Sequence, residues 1–171
     1  MKSVSVDKSG VMLTLDTETG NREYMTIAVN HGIGGAVQGE SAEELSIDAN
    51  SEKVRLLTDS TSAKQRVLSS KGGLVKQQLS ADGRVLWHHE IKQLIEFSRE
   101  LKAKFPQKDD LGKITAADVE FGFDKGRLVL FQVRPFLQNR RVKKNHYLNT
   151  LDQALNDSTD ISVNMNEAPS S

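Results

Sequence analysis

The sequence contains no cysteine among its 171 residues. This absence excludes a disulfide framework, a thiolate zinc site and a cysteine nucleophile. The sequence also lacks any apolar run close to the roughly 20 residues that a membrane-spanning helix needs, and its polar start is unlike a signal peptide. We therefore expect a soluble protein with no membrane partner, and the cytoplasm is the default compartment.

An excess of one charge is lacking too, because 23 Lys and Arg balance 23 Asp and Glu. A formal net charge of +0 creates no global field that would recruit nucleic acid, so any anion site must be local. The length suits one globular domain with a single core and leaves no room for a second catalytic domain.

Alternating apolar and polar residues predict strands in the first half of the chain. Residues 11–16 and 23–30 alternate on either side of a polar turn cluster, which predicts a hairpin with a long loop. Such alternation is typical of a sheet crossed by surface loops. It recurs in three shorter segments, residues 45–48, 53–58 and 66–69.

The period changes beyond Trp87, where apolar residues recur at helical spacing and predict one amphipathic helix over residues 89–104. Pro106 ends this helix, and residues 114–123 and 127–133 predict two more strands. Together these elements predict an α+β domain, a largely antiparallel sheet with one long packed helix.

The chain beyond Pro135 differs in composition and predicts a second region. We expect residues 1–136 to form the folded domain and residues 137–171 to form a partly flexible C-terminal extension with a short helix over residues 148–155. A basic patch in this extension is interpreted as a solvated face, with a nucleic-acid contact as the rival interpretation. The patch comprises Arg140, Arg141, Lys143 and Lys144.

The most informative pattern lies in the last predicted strand pair. Asp124-Lys125-Gly126 suits a three-residue hairpin loop with Gly126 in the left-handed position. This turn would place even-numbered side chains of both strands on one side, whereas a loop one residue shorter or longer would scatter them. The polar side would hold Asp118, Glu120, Gln132 and Arg134, and the apolar side would hold Val119, Phe121, Phe123, Val129, Phe131 and Val133.

Two carboxylates, an amide oxygen and a guanidinium on one patch suit a metal-bound polyphosphate. Hard oxygen ligands suit Mg²⁺, and arginine is a forked, permanently charged donor that matches phosphate oxygens. Any exposed strand face also shows charged residues at every second position, so spacing alone favours an ordinary solvated face.

Two other patterns also have ordinary interpretations. The glycine-containing residues 32–39 suit either a plain turn or a loop whose backbone N–H groups bind phosphate, but no Gly-Lys-Ser/Thr follows as in a Walker A loop. Adjacent His88 and His89 point apart and lack a third ligand, which favours a solvated helix start over a metal pair.

Three segments, in order, resemble phosphoenolpyruvate synthase and pyruvate, phosphate dikinase, which are ATP-grasp enzymes. Asp118-Val119-Glu120 and Gln132-Val133-Arg134-Pro135 are similar to the strand pair that closes the nucleotide site in that family. Residues 9–20 are similar to the family's Gly-Val-x-Phe-Thr strand and the loop after it, and residues 32–39 resemble its glycine-containing loop. The chain thus resembles the C-terminal part of the family's ATP-binding domain.

The resemblance implies a role for each polar residue of the hairpin. Glu120 and Gln132 would be Mg²⁺ ligands that bridge the phosphates of ATP. Arg134 would hold the transferring phosphoryl group, and Asp118 would be a supporting carboxylate. Such residues serve phosphoryl transfer because the reaction needs positioning and charge neutralisation. The implied function is a part of an ATP-dependent phosphotransferase.

Two departures limit what the resemblance implies. Gly35 stands where the family's loop usually has a carboxylate, for which Glu40 is a possible substitute. The family's site also needs an N-terminal half with a phosphate-binding Lys and Arg, and no histidine here has the surroundings expected of the phosphohistidine acceptor. The expected partners are therefore that half and the phosphohistidine and pyruvate-binding domains of a longer chain.

We expect the isolated chain to be at best a weak binder of nucleotide or Mg²⁺. The alternative is a non-catalytic interaction or regulatory domain built on the same scaffold.

Overall fold

The structure is a computed structural model that describes residues 5–34, 42–79, 84–137 and 150. The chain divides into two compact units, Met1–Phe136 and Leu137–Ser171. Of the helix predicted over residues 148–155, Thr150 is described and is helical. The basic patch at residues 140–144 and the second half of the glycine-containing segment, residues 35–39, lie outside the described residues, as does Glu40.

Six strands of the described residues form one sheet in the order β4-β3-β2-β1-β7-β8, and every neighbouring pair is antiparallel. Strands β5 and β6 form a separate antiparallel pair. The predicted α+β class, with a largely antiparallel sheet and one long helix, is confirmed. The elements are β1 (Lys8–Leu13), β2 (Tyr24–His31), β3 (Glu43–Asp48), β4 (Val54–Thr58), β5 (Lys64–Leu68), β6 (Leu74–Gln78), α1 (His88–Lys104), β7 (Ala117–Asp124) and β8 (Arg127–Pro135).

Helix α1 confirms the helical period in the sequence and begins one residue earlier than predicted. The Glu90 carboxylate accepts a hydrogen bond of 2.8 Å from the backbone N–H of Trp87, which stabilises the helix start. Lys102 and Lys104 in the last turn complement the partial negative charge there. His88 and His89 are exposed, as predicted for a solvated helix start. No helix in the described ranges is long and apolar enough to cross a membrane.

The core lies between α1 and one side of the six-stranded sheet, which we call the covered face. Cross-strand neighbours on this face form an unbroken apolar row: Leu45, Ile27, Met12 and Val119. Each is at most 4% exposed, and burying one such side chain contributes about 1.5–3 kcal/mol. Leu94, Ile95 and Leu101 of α1 pack into the same cluster.

Gly10 allows an aromatic ring to lie close against β1 on the covered face. A Cβ at Gly10 would come within 2.4 Å of the Ala28 carbonyl oxygen and 3.0 Å of the Phe121 ring. Phe121 in turn packs edge-on against Phe123, with ring centroids 5.8 Å apart. The opposite side of the sheet carries Ser9, Val11 and Leu13 of β1 beside Asp118 and Glu120 of β7, and we call it the site face.

Candidate functional site

The turn between β7 and β8 differs from the predicted one. Asp124 pairs with Arg127, which leaves a loop of two residues, Lys125 and Gly126. Their φ angles of 51° and 75° are typical of a type I′ turn, whose twist matches that of paired strands. The prediction of a three-residue loop is therefore wrong, although Gly126 adopts the left-handed conformation expected of it.

A β-bulge offsets the effect of the shorter turn. Near the turn, odd-numbered residues of β7 pair with even-numbered residues of β8, as Phe121 does with Leu130. The register then shifts by one residue, with Phe131 as the extra residue of β8. Beyond the bulge, the pairs are Glu120 with Gln132 and Asp118 with Arg134. The structure therefore brings the four predicted polar residues together on the site face.

The same shift corrects the predicted apolar side of the hairpin. Val129 pairs with Gly122, and the Phe131 ring lies 2.8 Å from where a Cβ of Gly122 would stand, so both side chains lie on the site face. The prediction that Val129 and Phe131 join the core is wrong. Leu128 and Leu130 occupy the covered face instead. The predicted core residues of β7 are confirmed, each 0% exposed: Val119, Phe121 and Phe123.

Asp118 and Arg134 form an ion pair across the two strands. The Arg134 Nε–H donates to Asp118 Oδ2 at 2.8 Å, and Arg134 Nη2 lies 3.5 Å from Glu120 Oε1. The hydrogen bond to Asp118, reinforced by Coulombic attraction to the same carboxylate, raises the pKa of Arg134. The Arg134 side chain is 52% exposed, which leaves guanidinium N–H groups accessible to an anion.

Glu120 and Gln132 provide a donor set that fits Mg²⁺. They are direct cross-strand neighbours, so their Cβ atoms are about 4.5–5.5 Å apart and both side-chain oxygens can reach one cation. Mg²⁺ is usually bound through one or two carboxylates plus substrate phosphates. In the described part of the chain, no three His, Cys, Asp or Glu residues form a metal-binding group. A site here would therefore rely on an amide oxygen and ligand oxygens as well.

The glycine-containing segment begins against the site face. The Ser9 hydroxyl donates to the Gly32 carbonyl at 2.7 Å and accepts from the Gly34 N–H at 2.8 Å. Ser9 pairs with Gly122, which is two residues along β7 from Glu120. Two of the segments singled out in the sequence thus meet on one face of the sheet.

Helix α1 and the residues before β1 hold the hairpin turn in place. The Gln93 side chain donates to the Gly126 carbonyl at 2.8 Å and accepts from the Leu128 N–H at 3.0 Å. The Asp7 carboxylate accepts from the Lys125 N–H at 2.7 Å. The strands that carry the polar group are therefore fixed to the helix.

The sequence did not reveal Ser9, Gln93 or Phe131 as parts of this arrangement. A single polar residue beside an apolar helix stripe, such as Gln93, looks like any solvated position. Phe131 has the strand propensity of its neighbours and gives no bulge signal. For Ser9, its place directly before the glycine and valine of the family-like strand was an available clue.

Comparison with known proteins identifies a family for most of the chain. Residues 1–155 match the family model described as the pyruvate phosphate dikinase AMP/ATP-binding domain. A search of curated proteins finds no match to the chain. Because the family match spans most of the 171 residues, the chain belongs to the family of the pyruvate phosphate dikinase AMP/ATP-binding domain.

Proposed function

We propose that this chain is a fragment of an ATP-dependent phosphotransferase resembling phosphoenolpyruvate synthase, in which it contributes Mg·ATP phosphate binding and phosphoryl transfer. The observation that carries the proposal is the pairing of Glu120 with Gln132 beside the Asp118–Arg134 ion pair on one face. Membership of an AMP/ATP-binding family supports a nucleotide as the ligand.

Each polar residue has a distinct role in this proposal. Glu120 and Gln132 hold Mg²⁺ through their side-chain oxygens, and the ion supplies charge neutralisation for the nucleotide phosphates when bound. Arg134 binds the transferring phosphoryl group through guanidinium N–H groups that Asp118 does not occupy. Asp118 orients the guanidinium, and its lower side-chain exposure of 19% suits that supporting role.

The site requires more groups than these four residues supply. In the proposal, an N-terminal nucleotide-domain half contributes a phosphate-binding Lys and Arg. The phosphohistidine and pyruvate-binding domains of a longer chain receive the phosphoryl group. Residues 1–136 then form the C-terminal part of an ATP-grasp nucleotide domain, residues 137–171 form an extension to it, and the assembly acts in the cytoplasm.

Calorimetric titration with Mg·ATP tests the proposal, using the chain alone and the chain joined to an N-terminal half of a family nucleotide domain. Glu120→Ala and Arg134→Ala should each weaken binding by about tenfold or more, because each removes a charged contact to the ligand. Glu100→Ala on α1 is the matched control, since its side chain is 67% exposed and its carboxylate, among the residues that the structure describes, forms an ion pair with Lys104 of the same helix.

The joined protein also allows phosphoryl transfer to be measured. If Glu120→Ala and Arg134→Ala both leave affinity and transfer unchanged, the site assignment is wrong. If the joined wild-type protein does not bind Mg·ATP, the alternative of a non-catalytic interaction or regulatory domain is favoured.

A further inference from the structure

The turn between β7 and β8 holds a lysine in a left-handed backbone conformation. Lys125 has a φ of 51°, and this conformation is unfavourable for a residue with a Cβ, which comes too close to the following carbonyl oxygen. A three-residue turn over Asp124-Lys125-Gly126 would need the left-handed conformation at Gly126 alone. The local sequence therefore favours the longer turn. Strained conformations of this kind persist where the surrounding structure holds them, so contacts from elsewhere in the fold must select the shorter turn.

The two turns place different residues opposite each other further along the hairpin. In the observed register Glu120 faces Gln132 and Asp118 faces Arg134. With a three-residue turn and no bulge, β8 would be displaced along β7, so that Gln132 would face Asp118 and Arg134 would face Ala116. The four polar side chains would still lie on the site face, but the two proposed metal ligands would no longer be direct neighbours.

The Gln93 amide of α1 bonds to the backbone at the point where the turn becomes β8. It donates to the Gly126 carbonyl at 2.8 Å and accepts from the Leu128 N–H at 3.0 Å. In the observed register Leu128 faces Phe123, whereas the three-residue turn would place it opposite Gly122. That change moves Leu128 by about 3.3 Å along β7. Because hydrogen bonds weaken steeply as their geometry departs from the ideal, the Gln93 amide cannot keep both bonds after such a move.

Asp7 supplies a third hydrogen bond to the turn. Its carboxylate accepts from the Lys125 N–H at 2.7 Å, and its own backbone N–H donates to the Phe123 carbonyl at 2.8 Å, which fixes Asp7 beside β7. The two-residue turn is therefore stabilised both by α1 and by the residues before β1.

We infer that Gln93 is a positioning residue whose side-chain amide, aided by the Asp7 carboxylate, selects the two-residue turn and with it the register of the polar residues across β7 and β8. Gln93 acts through the hairpin and does not itself touch the ligand. The selection of register follows from the backbone contacts alone, whereas its consequence for nucleotide binding rests on the proposed function.

NMR contacts across the hairpin, measured on the full chain without nucleotide, test the selection of register. Gln93→Leu removes the amide but keeps an unbranched-Cβ side chain that suits a helix. In this variant, contacts between Glu120 and Gln132 should weaken by about threefold or more, and contacts between Asp118 and Gln132 should appear. Lys92→Leu, at the exposed neighbouring position of α1, is the matched control and should keep the wild-type contacts. Wild-type contacts in folded Gln93→Leu would overturn the inference.

Lys125→Asn provides a rescue that a merely structural role of Gln93 would not show. Asparagine adopts the left-handed conformation more readily than lysine, and Asn-Gly favours the two-residue turn by itself. The double variant Gln93→Leu/Lys125→Asn should therefore return to the wild-type contacts. If the double variant instead keeps the contacts of Gln93→Leu, the inference is overturned, because a loss of helix packing cannot be restored from the turn.

Calorimetry with Mg·ATP, on the same variants joined to the N-terminal half, tests the consequence for nucleotide binding. Gln93→Leu should weaken binding by about three- to tenfold, and the double variant should bind as the wild type does. A changed register with unchanged Mg·ATP affinity would overturn the positioning role. If the joined wild-type protein does not bind Mg·ATP, the proposed function is contradicted, and the NMR contacts alone decide whether Gln93 selects the register.

A second variant keeps the inference testable if Gln93→Leu does not fold. Gln93→Glu has nearly the same shape and can still accept from the Leu128 N–H, but its carboxylate cannot donate to the Gly126 carbonyl. It should change the hairpin contacts in the same direction as Gln93→Leu, and Lys125→Asn should rescue it in the same way. Wild-type contacts in folded Gln93→Glu would contradict the inference.

Discussion

The two faces of the six-stranded sheet each carry an ion pair, and the pairs have similar lengths. On the covered face Lys8 Nζ lies 2.6 Å from Glu90 Oε2, and on the site face Arg134 Nε lies 2.8 Å from Asp118 Oδ2. The side chains of Lys8 and Glu90 are 10% and 2% exposed, whereas that of Arg134 is 52% exposed. Exposure therefore distinguishes a pair that holds elements together from a pair that is accessible to a ligand.

The buried pair fastens β1 to the start of α1. Lys8 donates to both carboxylate oxygens of Glu90, and Glu90 also accepts from the Trp87 N–H. A second buried carboxylate, Glu43, accepts from the N–H groups of Val85 and Leu86 just before the helix. On the covered face, the charged groups of Lys8, Glu90 and Glu43 thus bond to partners within the fold itself.

Removing the buried carboxylate should produce the largest loss of stability. Glu90→Ala leaves the Lys8 ammonium buried without its partner, so we expect the free energy of unfolding to fall by about 3–5 kcal/mol. Urea denaturation measures this loss. Glu100→Ala, at an exposed position on the same helix, should change it by less than about 0.5 kcal/mol. A loss below about 1 kcal/mol for Glu90→Ala would show that the two ion pairs do not differ as described.

Deleting single residues of β8 should show that the bulge sets the site face. Deletion of Phe131 leaves a regular ladder in which Glu120 still pairs with Gln132 and Asp118 with Arg134. Deletion of Val133 makes Gln132 and Arg134 adjacent, so in a regular ladder one of them moves to the covered face. Mg·ATP affinity should therefore fall by about tenfold or more in the second variant and by less than about threefold in the first.

NMR contacts between β7 and β8 check this register directly. Equal losses of affinity in the two deletion variants, with both folded, would contradict the role of the bulge.

Acid should weaken the covered face through His31. Burial, followed by the nearby Lys8 charge, lowers the pKa of His31 from its ordinary value of 6.5, against the opposing effects of Arg84, Glu43 and Glu90. Because the fold favours neutral His31, its contribution to stability is complete above the unfolded pKa and is lost as the pH falls from there through the lowered folded pKa.

Denaturation between about pH 7.5 and pH 5.5 measures this effect. The free energy of unfolding should fall with acidification in the wild type, and the slope should be smaller in His31→Asn. Equal slopes in the two proteins would contradict the assignment.

The smallest expected effect is at the turn between β7 and β8. Lys125 has a φ of 51°, a conformation that asparagine adopts more readily, and Asn-Gly is the favoured type I′ pair. Lys125→Asn should raise the free energy of unfolding by about 0.5 kcal/mol without altering Mg·ATP affinity. Thermal denaturation measures the gain, and a loss of stability would count against the type I′ turn.

The elements that could be predicted from the sequence are those whose apolar residues recur at a regular period. Helix α1 and the strands around the core have residues buried at regular intervals, so their patterns were visible. Strand β6 was missed because its residues, Leu74-Val75-Lys76-Gln77-Gln78, do not alternate between apolar and polar; β4 is equally exposed but was predicted from the alternation in residues 53–58. Exposed strands of this kind are specified by their partner, here β5, rather than by their own pattern.

The sequence predicted that the four polar residues lie together, but it did so from a three-residue turn, and the turn in the structure has two residues. A three-residue turn without a bulge and a two-residue turn with one bulge both place even-numbered residues together. The sequence does not distinguish them, because the choice depends on how Asp7 and Gln93 hold the turn and on Gly122 leaving space for the Phe131 ring.

The most direct test of the account is NMR of the Gln132 side-chain amide on addition of Mn·ATP to the joined protein, with Mg·ATP as the diamagnetic control. If Glu120 and Gln132 hold the metal of a bound nucleotide, the Gln132 signal should broaden beyond detection with Mn·ATP, stay sharp with Mg·ATP, and stay sharp with Mn·ATP in Glu120→Ala. A Gln132 signal that stays sharp while signals elsewhere on the protein broaden would contradict the account.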